Sequence, residues 1–198
     1  MERRNILEVA DIFSGLFKKQ SEKDANTAYI QLINLHQFSI MPANKEEVRM
    51  SVSLSDKEKN GKHLLKEGDI LLVVKGTPRA VIYHPVGDIP AVASTSFAVI
   101  RVKEEYAGYI KPEYLCWWLN SSYAYEVYDR ELRGSSVKVL PLKLFNEFEI
   151  NIPSLEYQEH FIEFNRQSEE RQQITQEIAQ TIRKLNVATL ENMAGILK

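Results

Sequence analysis

Apolar positions divide the chain into a part with strand-like spacing and a part with helical spacing. In the first part, short runs of β-branched and apolar residues are separated by glycine and proline, which is typical of strands joined by turns. The predicted strands are one within 27–40, one within Val48–Leu54, and Ile70–Val74, Ala80–His84, Ala91–Ala93 and Phe97–Val102. A spacing of about ten residues between strands indicates an antiparallel or mixed sheet.

Helical signals occur at the start of the chain and again beyond Lys111. Residues 6–17 predict a short helix or turn that ends at Gly15. Pro112 favours a helix start, because the first turn of a helix does not need its missing N–H. The apolar spacing over Tyr114–Tyr128 predicts one helix. Further on, the sequence predicts a strand at Val137–Leu140, a helical turn at Leu142–Phe145 and a strand at Phe148–Ile152.

From Leu155 to about Met193 the sequence has no glycine or proline, which predicts one helix of about 55 Å at 1.5 Å per residue. Its apolar positions form a stripe that we expect to pair with another helix as a coiled coil. The pairing residues are Phe161, Phe164, Ile174, Ile178, Ile182 and Leu185. The alternative is a single helix that lies on its own domain. The sequence thus predicts an α+β fold, with a globular mixed sheet-plus-helix domain over 1–153 and a long helix over 154–198.

Composition places the chain among globular proteins and restricts its setting. It has 198 residues, 44% hydrophobic and 26% charged, with a formal net charge of −2. The single cysteine, Cys116, cannot form an intramolecular disulfide, which fits a reducing compartment. No apolar run approaches the ~20 residues of a membrane helix. We therefore expect a cytoplasmic protein without membrane contact, and the net charge by itself argues weakly against a DNA-binding protein.

The charge is unevenly distributed along the chain. Residues 57–84 carry six basic and three acidic residues, a net charge of +3, whereas residues 154–198 carry five basic and seven acidic residues, a net charge of −2. A local basic region attracts phosphate even in a neutral chain, because salt screens fields beyond about 10 Å. The alternative is that these lysines only solvate a loop.

Signatures of catalysis and of cofactor binding are missing from the sequence. It contains no G-x-x-x-x-G-K-S/T loop, no H-E-x-x-H pair and no G-x-S-x-G elbow. One cysteine is too few for a multi-cysteine zinc site. We therefore expect a protein that binds rather than catalyses, without cofactor or metal; an enzyme with an unfamiliar site is the alternative.

Three stretches in order resemble a known family. They are residues 64–76 with the run Gly68-Asp69-Ile70-Leu71, residues 110–121 with Pro112-Glu113-Tyr114-Leu115, and residues 133–158 from Arg133-Gly134-Ser135 through Ile152-Pro153 to Glu156-Tyr157-Gln158. Their order and spacing resemble the target-recognition domain of type I restriction–modification DNA specificity subunits. Leu7–Gly15 resembles the opening helix and turn of that family, so the resemblance covers nearly the whole chain.

The resemblance implies a non-catalytic subunit whose globular domain reads double-stranded DNA. The long helix would act as a spacer that pairs with another helix and docks methyltransferase subunits and, in the complete system, a restriction subunit. Full-length family members carry two recognition domains and two helices, whereas this chain has one of each. Two copies paired through residues 158–195 would recognise a palindromic, bipartite site. The alternatives are one half of a split subunit and a coiled-coil adaptor that does not bind DNA.

Candidate DNA contacts lie in loops and turns, where a scaffold presents side chains to a ligand. Arg79 and Arg133 rank first, because a guanidinium fork suits guanine or phosphate. The full set is Lys18, Lys19, Lys75, Thr77, Arg79, Ser94, Thr95, Ser96, Arg130, Arg133, Ser135, Ser136 and Lys138. For each of them, an ordinary solvent-exposed role is the alternative.

Overall fold

The computed structural model describes residues 2–18, 27–31, 51–55, 61–85, 88–134 and 138–194. The chain divides into two compact units, Met1–Glu159 and His160–Lys198. The first unit holds the β-sheets and the shorter helices, and the second continues the long helix. That helix begins at Leu155, so its first turn belongs to the globular unit.

The described part of the chain contains the following regular elements. The strands are β1 (Glu2–Asn5), β2 (Ala10–Ser14), β3 (Thr27–Ile30), β4 (Ser51–Val52), β5 (Ile70–Val73), β6 (Ala80–Ile82), β7 (Ala91–Ala93), β8 (Phe97–Val102) and β9 (Glu149–Ile152). The α-helices are α1 (Ile6–Val9), α2 (Pro112–Leu119), α3 (Ser122–Leu132) and α4 (Leu155–Met193). Two 3-10 helices cover Glu104–Tyr106 and Leu142–Glu147. The mixed α+β fold and the long C-terminal helix are therefore confirmed.

The described strands of the globular unit form three sheets. A four-stranded antiparallel sheet has the order β2-β8-β5-β6, a three-stranded sheet has the order β4-β3-β7, and β1 pairs with β9. In the three-stranded sheet, β3 runs parallel to β7 and antiparallel to β4. The last pairing, in which Glu2 lies opposite Ile152, joins the start of the chain to the strand that precedes α4.

The main core shows why β5 has no polar position. Leu71 and Val73 of β5 join Phe97 and Val99 of β8 in a cluster that also takes in Ile30. The residues of β5 and β8 with the opposite orientation, such as Ile70, Leu72 and Ile100, are also fully buried. A strand that is buried on both faces is a continuous apolar run, which is the pattern that predicted it.

The prediction of a helix or turn over residues 6–17 is wrong beyond Val9. Only Ile6–Val9 is helical, and Ala10–Ser14 forms β2, which pairs with β8 along its whole length. Burial in β2 does not follow the two-residue alternation of a strand, since Ala10 and Phe13 are buried and Asp11 and Ser14 are exposed. Pairing with a distant strand overrides the weak local helix signal.

The single helix predicted over Tyr114–Tyr128 is two helices, because the chain is interrupted at Asn120 and Ser121. The Asn120 side chain accepts a hydrogen bond from the N–H of Ala80 at 2.9 Å and donates one to the carbonyl of Ala80 at 2.8 Å. Ser121 then caps α3 by accepting the N–H of Ala124 at 3.3 Å. The Asn120 amide thus bonds the backbone of β6 as a neighbouring strand would, and this interruption separates α2 from α3.

Other predicted strands are confirmed at the predicted positions, and some of them are shorter than predicted. Ala91–Ala93 and Phe97–Val102 are strands over the predicted residues, and Leu155–Met193 is one helix. The predicted Val137–Leu140 strand is limited, in its described residues, to one bridge between Val139 and Lys75. Residues 32–40 and 48–50 of two predicted strands lie outside the described residues. No helix in the described ranges is long and apolar enough to cross a membrane.

Gly15 ends β2 where the chain passes directly against β7. A Cβ at this position would lie 2.1 Å from the carbonyl oxygen of Ser94 and 2.5 Å from that of Ala93. The backbone hydrogen bond from Leu16 to Ala93, 2.8 Å long, forces this close approach. Only a residue without a side chain fits here.

Gly15→Ala is therefore expected to lower the free energy of unfolding by about 2–3 kcal/mol, since backbone atoms must move to admit the methyl group. Urea denaturation followed by circular dichroism measures the change. Gly108→Ala is the matched control, because a Cβ there meets nothing within 4 Å. Equal losses in the two variants would contradict the steric explanation.

Candidate nucleic-acid interface

The register of the four-stranded sheet brings three separate loops to one end. Ser14 lies opposite Ala98, Val73 opposite Phe97 and Leu72 opposite Ala80. The chain therefore leaves β2, enters β8 and turns from β5 to β6 at the same end of the sheet. In the neighbouring sheet β3 and β7 run parallel, with Ile30 opposite Ala93, and both end here as well.

Hydrogen bonds join these loops to a fourth segment. Leu140 donates its N–H to the carbonyl of Val74 at 2.8 Å, and Gly76 donates to that of Lys138 at 3.1 Å. The Lys75 ammonium donates to the Thr95 hydroxyl at 2.9 Å. We call residues 15–18, 74–79, 94–96 and 138–140 the basic rim.

The charge of the basic rim has one sign. Its four charged residues are Lys18, Lys75, Arg79 and Lys138, and the rim contains no aspartate or glutamate. The basic stretch 57–84 is divided by the fold, because Lys66 lies at the opposite end of β5, close to Asp69. The rim thus gathers four cations from three distant segments, which raises the local affinity for phosphate.

Several predicted contact residues lie on the rim in different settings. Thr77, Lys75 and Lys138 are exposed, whereas Arg79 and Lys18 are half-buried. Gly76, with φ of 122°, allows the sharp turn that presents Thr77.

The turn at residues 94–96 is also on the rim, but one of its hydroxyls has a structural role. Ser94 is buried, and its hydroxyl accepts the N–H of Ser96 at 3.4 Å. Ser94 therefore shapes the turn, and Thr95 and Ser96 are the more accessible members.

A concave surface of about 430 Å³ lies on the rim. Its lining residues are Phe17, Lys18, Tyr29, Gln31, Ser94, Thr95 and Ser96. Phe17, Tyr29 and Gln31 were not predicted from the sequence. Phe17 and Tyr29 lie in apolar runs that look like core, and Gln31 comes to this place only because β3 runs parallel to β7.

The predicted arginines at the end of α3 lie in a different setting from the basic rim. Arg130 lines a cavity of about 510 Å³ together with two acidic residues, Glu131 and Glu147. Its lining has no residue in common with the cavity at Ser94. Arg133 is exposed and caps α3. Lys19, Ser135 and Ser136 lie outside the described residues.

Aromatic side chains beside α2 and α3 form a core. Tyr128 stacks on Phe148 with ring centroids 6.1 Å apart, and Tyr114 contacts both Trp117 and Trp118. Burial raises the pKa of Tyr114 to about 12, and its hydroxyl donates to the carbonyl of Asn151 at 2.7 Å. A phenol held neutral in this way is a structural donor rather than an acid–base group.

Gln158 explains why a glutamine follows the strand that precedes the long helix. It is fully buried, and its amide oxygen accepts the N–H of Lys111 at 2.9 Å. Its NH₂ group donates to the carbonyls of Tyr109 and Pro153 at 3.0 and 2.9 Å. These bonds tie the first turn of α4 to β9 and to the entry of α2.

The rest of α4 exposes apolar side chains along one face. The exposed fractions are 72% for Phe164, 56% for Ile174, 54% for Ile178, 53% for Ile182 and 65% for Leu185, and Phe161 is half-buried. From Ile174 to Leu185 these positions fall within a sector of roughly 80° at 100° per residue. The nearby Thr175 and Thr189 bond their hydroxyls to backbone carbonyls four residues earlier, so the face offers mainly carbon atoms.

The described ranges contain no group of three histidine, cysteine, aspartate or glutamate residues able to hold a metal ion. The chain belongs to the family of type I restriction modification DNA specificity domains, whose model matches residues 1–184. This confirms the predicted family and the interpretation of the chain as a non-catalytic specificity module. No curated protein matches the chain.

Solved structures have the same fold. A chain from a type I R-M system, solved in work on its complex assembly and conformational transition, superimposes with a TM-score of 0.64 at 16% identity over 96% of this chain. The HsdS subunit from Thermoanaerobacter tengcongensis does so with a TM-score of 0.56 at 15% identity over 90% of this chain. This chain spans 43% and 39% of the two, respectively, so it is less than half as long as these proteins.

Proposed function

We propose that this chain is the sequence-reading component of a type I restriction–modification system and binds one half of a double-stranded DNA site through the basic rim. The observation that supports this most directly is the convergence of Lys18, Lys75, Arg79 and Lys138 without a carboxylate in the rim. Phosphate contacts supply affinity and register, while side chains that reach base edges supply specificity. A protein that reads cellular DNA in this way would work in the cytoplasm.

The long helix would serve assembly. The exposed stripe Phe161, Phe164, Ile174, Ile178, Ile182 and Leu185 would pair with the same helix of a second copy as a coiled coil. Other parts of the helix would dock methyltransferase subunits, which contribute catalysis and the methyl donor. A twofold pair would read a palindromic site in two parts, with the helix length setting the spacer.

Salt dependence tests which end of the sheets binds DNA. Lys75→Ala and Lys138→Ala are each expected to reduce the slope of log K against log [salt] by about 1, because each removes one phosphate contact. Fluorescence anisotropy with a labelled duplex, titrated at several salt concentrations, measures the slope for the full chain with its methyltransferase subunits.

Lys66→Ala is the control for these two substitutions. It removes the same charge from an exposed lysine at the other end of β5, so its slope should equal that of the unaltered protein. If Lys66→Ala changed the slope as much as Lys75→Ala, DNA would not bind specifically at the rim. A complex that binds no duplex at low salt would overturn the DNA-reading proposal itself.

Co-purification and methylation mapping test the assembly. The full chain, expressed with its methyltransferase subunit, should purify as a complex and direct methylation to one palindromic, bipartite sequence. An asymmetric methylated sequence would contradict the symmetric pair and favour one half of a split subunit. Salt-insensitive binding to a protein partner, without methylation, would favour the coiled-coil adaptor.

A further inference from the structure

Phe17 is exposed although its side chain is apolar and aromatic. Its exposed fraction of 75% is the highest of the large hydrophobic residues described in the globular unit. A single exposed apolar residue is common on protein surfaces. Phe17, however, lies beside Lys18 on the lining of the concave surface at Ser94, within the basic rim.

The backbone on either side of Phe17 is held in place. The buried Tyr29 donates its hydroxyl hydrogen to the carbonyl of Leu16 at 2.9 Å and accepts the N–H of Lys18 at 3.3 Å. Leu16 also donates to the carbonyl of Ala93 at 2.8 Å. These bonds fix the backbone from which the ring projects, so no backbone entropy is lost when the ring contacts a ligand.

The chemistry of the surroundings indicates which part of DNA the ring would meet. Lysine side chains suit phosphate, and the Thr95 and Ser96 hydroxyls suit polar base edges. A phenyl ring forms no hydrogen bond to either. The apolar group that a base edge offers in the major groove is the C5-methyl group of thymine.

We infer that Phe17 is a specificity-determining residue that contacts the C5-methyl group of one thymine in each half-site. The inference rests on the proposed function of the basic rim. Gln31 and the hydroxyls of Thr95 and Ser96, which line the same surface, would face the neighbouring base edges.

The first experiment compares the sequences that the protein selects. The full chain with its methyltransferase subunits is used to enrich binders from a random duplex library, and Phe17→Ala is tested in parallel. The variant should lose the preference for thymine at one position of each half-site and keep the other positions. The control is Ile89→Ala, which removes an exposed apolar side chain before β7, at the other end of the sheets.

The second experiment removes only the methyl group. Deoxyuridine replaces each thymine of the selected sequence in turn, and binding is measured by anisotropy. At one position the unaltered protein should bind about fourfold more weakly, since one buried methyl-sized group contributes ~0.8 kcal/mol. Phe17→Ala should bind the two duplexes equally.

The outcomes separate this inference from the proposed function. If the unaltered protein selects no sequence, the proposed function fails. If it selects one, but deoxyuridine has no effect at any thymine or Phe17→Ala selects the same sequence, the methyl contact is wrong. If Phe17→Ala instead lost affinity equally for all duplexes, the ring would be inserted between base pairs. That result would also overturn the inference.

Discussion

Asp69→Ala is expected to lower the free energy of unfolding by about 3–5 kcal/mol, because it leaves a largely buried arginine without its counter-ion. Asp69 is 1% exposed, and its two carboxylate oxygens accept Arg101 Nε and Nη2, each at 2.7 Å. The same carboxylate accepts the backbone N–H of Lys66 at 2.7 Å. One side chain therefore closes the turn before β5 and neutralises the cation at the end of β8.

Asp69 supplies the counter-ion of Arg101. Its guanidinium also donates to the carbonyls of Leu64 and Lys62 at 2.7 and 3.2 Å and lies 5.4 Å from the ring centroid of Phe13. Only 17% of its side chain is exposed, so water replaces little of the lost interaction. Removing one partner of a buried pair is costly for this reason, whereas removing both is not.

Chemical denaturation of three variants tests the pair. Asp69→Ala and Arg101→Ala should each destabilise the protein, and the double variant should lose clearly less than the sum of the two. Glu67→Gln is the control, because this exposed carboxylate pairs with His84 at the surface and should change stability by less than about 1 kcal/mol. Additive losses in the double variant would contradict the coupling.

Ile178→Glu combined with Ile182→Glu is expected to abolish pairing of the long helix. Four isoleucines would leave the interface of a dimer, which weakens association by about 6 kcal/mol or more. That corresponds to at least four orders of magnitude in the dissociation constant, roughly 1.4 kcal/mol per decade. The molecular mass measured by light scattering at micromolar concentration should fall from that of a dimer to that of a monomer.

The control carries the same charge change on the other side of the helix. Gln176→Glu combined with Gln180→Glu also places two carboxylates four residues apart, but on the side away from the Ile174–Leu185 stripe. This variant should remain dimeric. If the unaltered chain is a monomer, or if both double variants dissociate, the stripe is not a pairing surface. Circular dichroism should show the same helix content in all of them.

The elements predicted correctly are those whose pattern reflects burial along a single segment. Strand β5 is apolar at every position because both of its faces are covered, and α4 lacks helix-breaking residues for its whole length. The errors lie where a distant partner decides. Residues 10–14 became a strand by pairing with β8, and the predicted 114–128 helix divides because Asn120 bonds to Ala80.

The candidate site shows the same division. Lys75, Thr77 and Arg79 were predicted as contacts because they lie in a loop with glycine and proline. Thr95 and Ser96 were predicted because they lie in a turn between two strands. Nothing in the sequence shows that these loops and Lys138 meet at one end, since that follows from the strand order β2-β8-β5-β6. Phe17 was not predicted as a contact, because an apolar residue after an apolar run predicts a core position. Its exposure follows from the tertiary structure, in which Tyr29 bonds the backbone of Leu16 and Lys18.

The family, the α+β class and the single long helix follow from the sequence alone, because these depend on local pattern and on the order of short motifs. The tertiary structure governs which charges act together. It divides the described residues of the basic stretch, 61–84, between two ends of a sheet, gives Asp69 a buried arginine, and collects cations from three segments into one rim without acids. Electrostatic fields extend through space over about 10 Å at moderate salt, so proximity in the fold, rather than in the chain, defines a binding surface.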